Sequence, residues 1–146
     1  MSLSRKCQYA LRSLLELAKR WGQGPLSVVD IADAQAIPPR FLELILAELK
    51  HARYVDSRRG VQGGYMLAVS PASLCVGDII RFVDGPLAPV NCLGQDDEHC
   101  PLYPNCAFMD VWERATKAVE EVYDSTSFLD LVNQERVAKH MVDYNI

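Results

Sequence analysis

The sequence predicts a mainly α fold with a small β-hairpin wing: a winged helix-turn-helix followed by a long dimerisation helix. Three observations carry that expectation. Two short apolar-periodic segments are parted by a brief break at Ala36-Ile37, the signature of a helix-turn-helix. The pattern then turns strand-like on both sides of Arg58-Arg59-Gly60-Val61-Gln62-Gly63-Gly64, a glycine-rich hairpin tip. Behind a proline-rich stretch, Phe108, Val111, Trp112, Ala115, Val119 and Val122 resume i, i+3, i+4 spacing along one helix face.

Each element has a local cause. Ser4 reads as the N-cap of a first helix whose apolar positions are Tyr9, Leu11, Leu14, Leu15, Leu17, Ala18 and Trp21, and which Gly22 and Gly24-Pro25 stop. Ser27 followed by Asp30 resembles a capping box and opens a short second helix through Val28, Val29, Ile31 and Ala32. Pro38-Pro39 opens the third, because proline's missing N–H is unpaired in a first helical turn anyway. That helix is expected to carry Phe41, Leu42, Ile45, Leu46 and Leu49 inward. Residues 54–57 and 65–69 form the hairpin, whose glycines give turn freedom and let backbone amides approach a phosphate. Val76, Ile79, Ile80 and Val83 mark a fourth helix ending at Asp84-Gly85-Pro86. After the long helix, Ser127 caps a short one through Val132, and the tail to Ile146 reads as a separate, weaker helix.

The stretch 85–106, with Pro86, Pro89, Gly94, Pro101 and Pro104, has no sustained period. A loop that long inside a compact domain is expected to have a function of its own. The organisation is therefore residues 1–84 as a winged helix-turn-helix DNA-binding domain, 85–106 as a cysteine-rich cluster-binding loop, and 107–146 as the dimerisation helix with the C-terminal helices.

Composition bounds the function. With 146 residues, 49% hydrophobic and 23% charged, the chain reads as one soluble globular unit. No run reaches transmembrane length, and the N-terminus is amphipathic, with Arg12 and Glu16 inside it, unlike a signal-peptide core. Cytoplasmic residence and no membrane partner are expected. Five cysteines is an odd number, and in a reducing compartment the cluster Cys92, Cys100, Cys106 points to a metal, redox or catalytic site more than to a disulfide framework. Charge is uneven. Residues 1–66 hold ten Lys/Arg against six acids, while the remainder holds five against thirteen. A basic front and an acidic back suit a phosphate-facing module joined to one that stays off nucleic acid. An enzyme is not expected: His99 is the one base beside the thiols, and no oxyanion-hole motif, nucleotide loop or carboxylate pair accompanies it.

Ser4-Arg5-Lys6 leading to Tyr9-Ala10-Leu11, Asp30-Ile31-Ala32 with Ile37-Pro38, Phe41-Leu42-Glu43, Arg59-Gly60-Val61-Gln62-Gly63-Gly64-Tyr65, Val76-Gly77-Asp78-Ile79-Ile80 and the three cysteines together resemble the Rrf2 family of winged helix-turn-helix transcription regulators, the IscR/NsrR/RirA-like repressors and activators. The resemblance covers nearly the whole chain and implies a homodimer on an inverted-repeat operator in double-stranded DNA. It also implies an iron–sulfur cluster, 2Fe-2S or 4Fe-4S, in the cysteine loop, controlling DNA binding. The third helix would then offer Pro39, Arg40 and Glu43 to the major groove. Arg58, Arg59, Gly60, Gln62, Gly63 and Gly64 would contact the flanking backbone or minor groove, with Ser2, Ser4, Arg5, Lys6 and Ser27 near phosphates. Phe108, Val111, Trp112, Ala115, Val119 and Val122 would form the dimer seam.

The ligand set departs from the family in one respect. The spacing is C-x7-C-x5-C, and Met109 stands three residues past the last cysteine, where some members place a histidine. Other members take an acidic residue from the partner's first helix, at a position matching Gln8. Clusters commonly take four protein ligands, so the fourth comes from Gln8, Cys7 or His99. Cys7 lies about 100° around the helix from Gln8, and both Cys7 and Cys75 also read as small buried hydrophobes. Two alternatives stay open on the same three thiols. One is a Cys3His zinc site completed by His99, without the C-x2-C knuckle zinc favours. The other is a thiol/disulfide switch without metal.

Overall fold

In the computed structural model, which describes residues 2–93, 100–103 and 105–144, the elements follow the order α1 (Arg5–Lys19), α2 (Val28–Gln35), α3 (Pro39–His51), β1 (Val55–Arg58), β2 (Gly64–Leu67), α4 (Val76–Asp84), α5 (Met109–Asp124) and α6 (Phe128–Tyr144). Among the described residues of the long loop, Asn91–Leu93 form a 3₁₀ turn. This is the mainly α architecture with a hairpin wing that the sequence predicts. Among the described residues no helix is long and apolar enough to cross a membrane.

The caps sit where local chemistry puts them. Ser4 is extended, and its hydroxyl accepts the Cys7 N–H at 3.0 Å. Ser27 accepts the Asp30 N–H at 3.1 Å and donates to the Asp30 carboxylate, closing α2 at its start. Ala10, Leu14, Leu17 and Ala18 form the buried face of α1 and meet Ile31 and Ala32 of α2 and Leu42, Ile45, Leu46 and Leu49 of α3 in one core. One inward assignment fails, and one apolar position of the first helix lies outside it. Phe41 is 60% exposed, because it stands off the i, i+3, i+4, i+7 stripe that begins at Leu42. Trp21 is 47% exposed, because α1 ends at Lys19 and the chain has already left the helix.

The hairpin register pairs Val55 with Leu67, Asp56 with Met66, Ser57 with Tyr65 and Arg58 with Gly64. Val55 and Leu67 point into the core. A third strand position lies beside β2: Leu26 and Tyr65 exchange backbone hydrogen bonds of 2.8 and 2.7 Å. Gly64 allows that approach, since a Cβ there would run into the Leu26 carbonyl. Between α3 and β1, Arg53 is held at φ 66, a left-handed conformation that costs a non-glycine residue about 1–2 kcal/mol. Arg53→Gly is therefore expected to raise stability by about 1 kcal/mol after glycine's larger unfolded-state entropy is counted. A higher urea midpoint at unchanged slope checks it.

The C-terminal region corrects the reading as two helices. Ser127 does cap, accepting the Asp130 N–H at 3.1 Å while its own N–H donates to Asp130 at 2.9 Å, but α6 runs unbroken from Phe128 to Tyr144. Its first turns belong to the main core, with Phe128 and Val132 buried and Glu135 bonded to Lys19 of α1 at 2.6 Å. Its second half is exposed, with Val137 and Val142 on the surface.

Candidate nucleic-acid interface and cysteine loop

The N-terminal half of α3 presents a polar face to solvent. Pro38 and Pro39 start the helix without a side-chain cap, and Pro39, Arg40 and Glu43 are all exposed while Leu42 anchors the opposite side. Neither Arg40 nor Glu43 has an ion-pair partner among the described residues. At the far end of the same helix, Lys50 Nζ donates to Ser57 Oγ at 2.5 Å, tying α3 to the first wing strand. Helix and wing thus present as one surface. At the wing tip Arg59, Gly60 and Gln62 are exposed, and the Gly63 N–H donates to the Gly60 carbonyl at 3.0 Å. Gly63 has no room for a side chain, because a Cβ would meet the Arg58 carbonyl.

The start of α1 is more committed. Ser2, Arg5 and Lys6 are exposed, and Lys6 pairs with Glu48 of α3 at 2.6 Å. Both side chains of that pair are about half exposed, so it is weak and exchangeable. The Ser4 N–H donates to Asp84 at 2.7 Å and its hydroxyl also donates to that carboxylate, across 80 residues of sequence. Asp84 therefore fills the anion position at the α1 N-terminus, and a phosphate there has to displace it. Nothing local in the sequence signals this bond, or the ones joining Lys50 to Ser57 and Leu26 to Tyr65.

Of the loop cysteines, Cys92 sits on the 3₁₀ turn, Cys100 accepts the Tyr103 N–H through its carbonyl at 3.1 Å, and Cys106 does the same for Met109 as α5 begins. All three are half-buried free thiols. His99 lies outside the described residues. Among the described residues no three His, Cys, Asp or Glu side chains converge to hold a metal. The thiols supply the right donors for a thiophilic centre, but the described positions do not meet at one point.

The root of the loop is anchored on α1, where Leu87 packs with Ile80 against Cys7. Cys7 is fully buried. Burial first, then the nearby Asp84 carboxylate, pushes its thiol up to about 11. Of the two roles open to Cys7, that of a small core hydrophobe is the one the packing supports. Gln8 is exposed, and its amide Nε2 donates to the Leu3 carbonyl at 3.1 Å. Cys75 is the N-cap residue of α4, and its N–H donates to Asp78 at 3.0 Å. With thiol reagents at neutral pH, Cys7 is expected to be the last of the five cysteines modified, because only thiolate reacts. Mass mapping that finds Cys7 labelled alongside the loop cysteines in folded protein would overturn this.

No described residue of α5 is fully buried, and its stripe is open: Phe108, Val111 and Val122 are exposed, while Trp112 is half-buried and stacks on Phe108 at 5.7 Å. The helix is held to α4 by a forked ion pair in which both Arg81 nitrogens reach Asp124 at 2.7 Å. Gly77 of α4 leaves the space that Asp124 occupies. The Arg81 guanidinium holds the Asp124 carboxyl below the usual carboxylate range. A depressed folded pKa means that the pair stabilises above the ordinary carboxylate pKa and is lost as pH falls through the depressed one. Asp124→Asn is expected to remove that part of the acid-side slope of stability, as read in urea midpoints measured across acid pH.

A family model described as Rrf2, iron-dependent transcriptional regulator, matches residues 3–134. The chain is 39% identical over 133 residues to the HTH-type transcriptional regulator CymR of Bacillus subtilis, covering 91% of each protein. The solved structure described as CymR, the global cysteine regulator of B. subtilis, superposes with a TM-score of 0.77 at 36% identity, over 92% of this chain and 98% of that one. T. potens IscR superposes with the same TM-score of 0.77 at 33% identity, over 94% and 90%.

Proposed function

The chain belongs to the Rrf2 family of transcriptional regulators, and from that premise we propose that it is a homodimer that reads an inverted-repeat operator under the control of its cysteine loop. Regulators of this family bind DNA, and its relatives are named as regulators, not enzymes. The observation that carries the reading is the surface shared by α3 and the wing. Arg40 and Glu43 stand unpaired there among the described residues, and Lys50 locks helix to hairpin. Arg40 pairs with guanine or a phosphate and Glu43 accepts from cytosine N4, beside Pro39 in the major groove. Arg58, Arg59 and the Gly60–Gly64 turn hold the flanking backbone or minor groove, and Ser2, Arg5, Lys6 and Ser27 lie near phosphates.

The uncovered stripe of α5 is the dimer seam, from Phe108 through Val111, Trp112, Ala115 and Val119 to Val122. Val119→Asp would bury an unpaired carboxylate there, at a cost of several kcal/mol. Sedimentation is expected to show monomer, and an unchanged dimer would move the seam elsewhere.

For the sensor, the reading is an iron–sulfur cluster held by Cys92, Cys100 and Cys106, with Gln8, Cys7 or His99 as the candidates for the fourth position. The donor set and the iron-dependent family model support it. When bound, the cluster supplies a redox- and ligand-reactive centre. The protein's part is to bring three separated thiols to one point and to order the loop whose root, at Leu87, packs on Cys7. The test is iron and acid-labile sulfide in anaerobically prepared protein. Each of Cys92→Ser, Cys100→Ser and Cys106→Ser is expected to deplete both, because oxygen donors hold these clusters less well than thiolates, and Cys75→Ala is expected to deplete neither.

A thiol/disulfide switch is the second reading. The thiols are free and do not converge among the described residues, and a relative of this fold is described as a cysteine regulator. Iron-free protein after anaerobic reconstitution, with DNA affinity following disulfide content, would favour it over the cluster. Stoichiometric zinc in colourless protein would favour a zinc-stabilised loop.

A further inference from the structure

A cleft of about 430 Å³ opens between the end of α1 and the root of the wing, and no residue of α3 or of the cysteine loop lines it. Leu17, Met66 and Leu67 line it with apolar side chains, of which Leu17 and Leu67 are buried, and the exposed Trp21, Arg20 and Arg58 line it as well. Its volume lies in the range of small-molecule sites, roughly 300–1,000 Å³. Two features set it apart from an ordinary surface dent. Trp21, an apolar indole just past the end of α1, keeps about half of its surface in water. Arg20 and Arg58 line the same cleft with no carboxylate beside them in its wall and no ion partner among the described residues. Their neighbour Lys19, one residue from Arg20, is by contrast satisfied by Glu16 and Glu135.

The geometry points to a binding site for a small organic anion with a planar apolar body, its carboxylate taken by Arg20 and Arg58 and its body laid on Trp21 over Leu17, Met66 and Leu67. Guanidinium forks match carboxylate geometry and also stack on planar groups. The indole and the aliphatic lining gain from covering hydrocarbon. A bare phosphate, including that of a nucleic-acid backbone, would use the two arginines and leave the apolar lining wet. The cleft is therefore better matched to a carboxylate with a ring than to DNA. Arg58 ends strand β1 of the wing, so a bound anion occupies a cation that the proposed DNA interface also uses. That consequence rests on the proposed function, whereas binding itself is measured without DNA, so the two fail separately.

The test is an NMR titration of the full chain with 2-naphthoate, followed at the two indole N–H resonances, which Trp21→Phe assigns. The Trp21 resonance is expected to shift saturably, while the Trp112 resonance on α5 serves as the control and stays in place. The neutral isostere 2-naphthamide is expected to bind at least about tenfold more weakly, and Arg20→Gln and Arg58→Gln each to weaken 2-naphthoate by about tenfold, as expected for loss of a hydrogen bond to a charged group. Both arginines are exposed, so neither variant threatens folding. A linear, non-saturating shift, equal binding of the amide, or unchanged affinity in both variants would overturn the site. Inorganic phosphate binding as tightly as 2-naphthoate would overturn the organic ligand class.

Discussion

Phe128→Ala is expected to cost about 3–5 kcal/mol of stability, the range for truncating a fully buried aromatic. Phe128 is completely enclosed, in the same core as Leu14, Ile31, Leu46 and Ile79. Its backbone is fixed as well, since its N–H donates to the Leu74 carbonyl at 3.0 Å and the following N–H, of Leu129, to Pro71 at 3.0 Å. The rigid surroundings leave little room for collapse into the vacated volume, and that places the cost at the full range rather than below it. A domain of this size has roughly 5–15 kcal/mol of stability in total, so the variant is expected to unfold at markedly lower urea. Phe41→Ala and Val137→Ala, at exposed positions, are the controls and are expected to stay within about 0.5 kcal/mol. An effect as small at Phe128 as at Phe41 would mean that α6 is not part of the folding unit of α1–α4.

That contrast shows what was legible in the sequence. Ser4, Ser27 and Ser127 were readable as caps because capping is decided within about four residues of chain. Leu42, Ile45, Leu46 and Leu49 were readable because burial on one face enforces a period. Phe41 reads as inward because an apolar residue beside a stripe has the same composition signal as one on it. α6 reads as two helices because Val137 and Val142, beyond Val132, lie on the surface, so the period fades although the helix does not. The absence of glycine and proline between Ser127 and Tyr144 was the signal that argued for continuity. In the candidate site, the exposed placing of Arg40, Glu43 and Arg59 was readable from position alone. The bonds from Lys50 to Ser57 and from Ser4 to Asp84 were not, because each joins residues that only tertiary structure brings together. The cysteine triplet was plain as a motif, but whether and where its thiols meet is a matter of loop conformation that spacing does not encode.

Binding to a selected operator is expected to fall in different ways for variants of the α3–wing surface, and the pattern distinguishes reading from holding. Arg59→Ala removes an exposed cation from the wing tip. Affinity is therefore expected to drop similarly on every sequence, and the slope of log K against log salt to become shallower by about one for each phosphate that is no longer neutralised. Arg40→Ala removes a guanidinium from the exposed first turn of α3. If it pairs bidentately with guanine, the loss is about 1–3 kcal/mol and specificity relaxes at that base alone. Glu43, also exposed and also unpaired among the described residues, carries negative charge toward phosphates. It is therefore tolerated there only if it accepts from a base edge. Glu43→Ala is then expected to broaden sequence preference while raising non-specific affinity, the opposite sign from Arg59→Ala on random DNA. Measuring all three against operator and scrambled duplex at matched salt decides the assignment. Equal behaviour of the three variants with the parent on both duplexes would move the DNA face away from α3 and the wing, and a uniform loss for all three would reduce it to an electrostatic surface that does not read sequence.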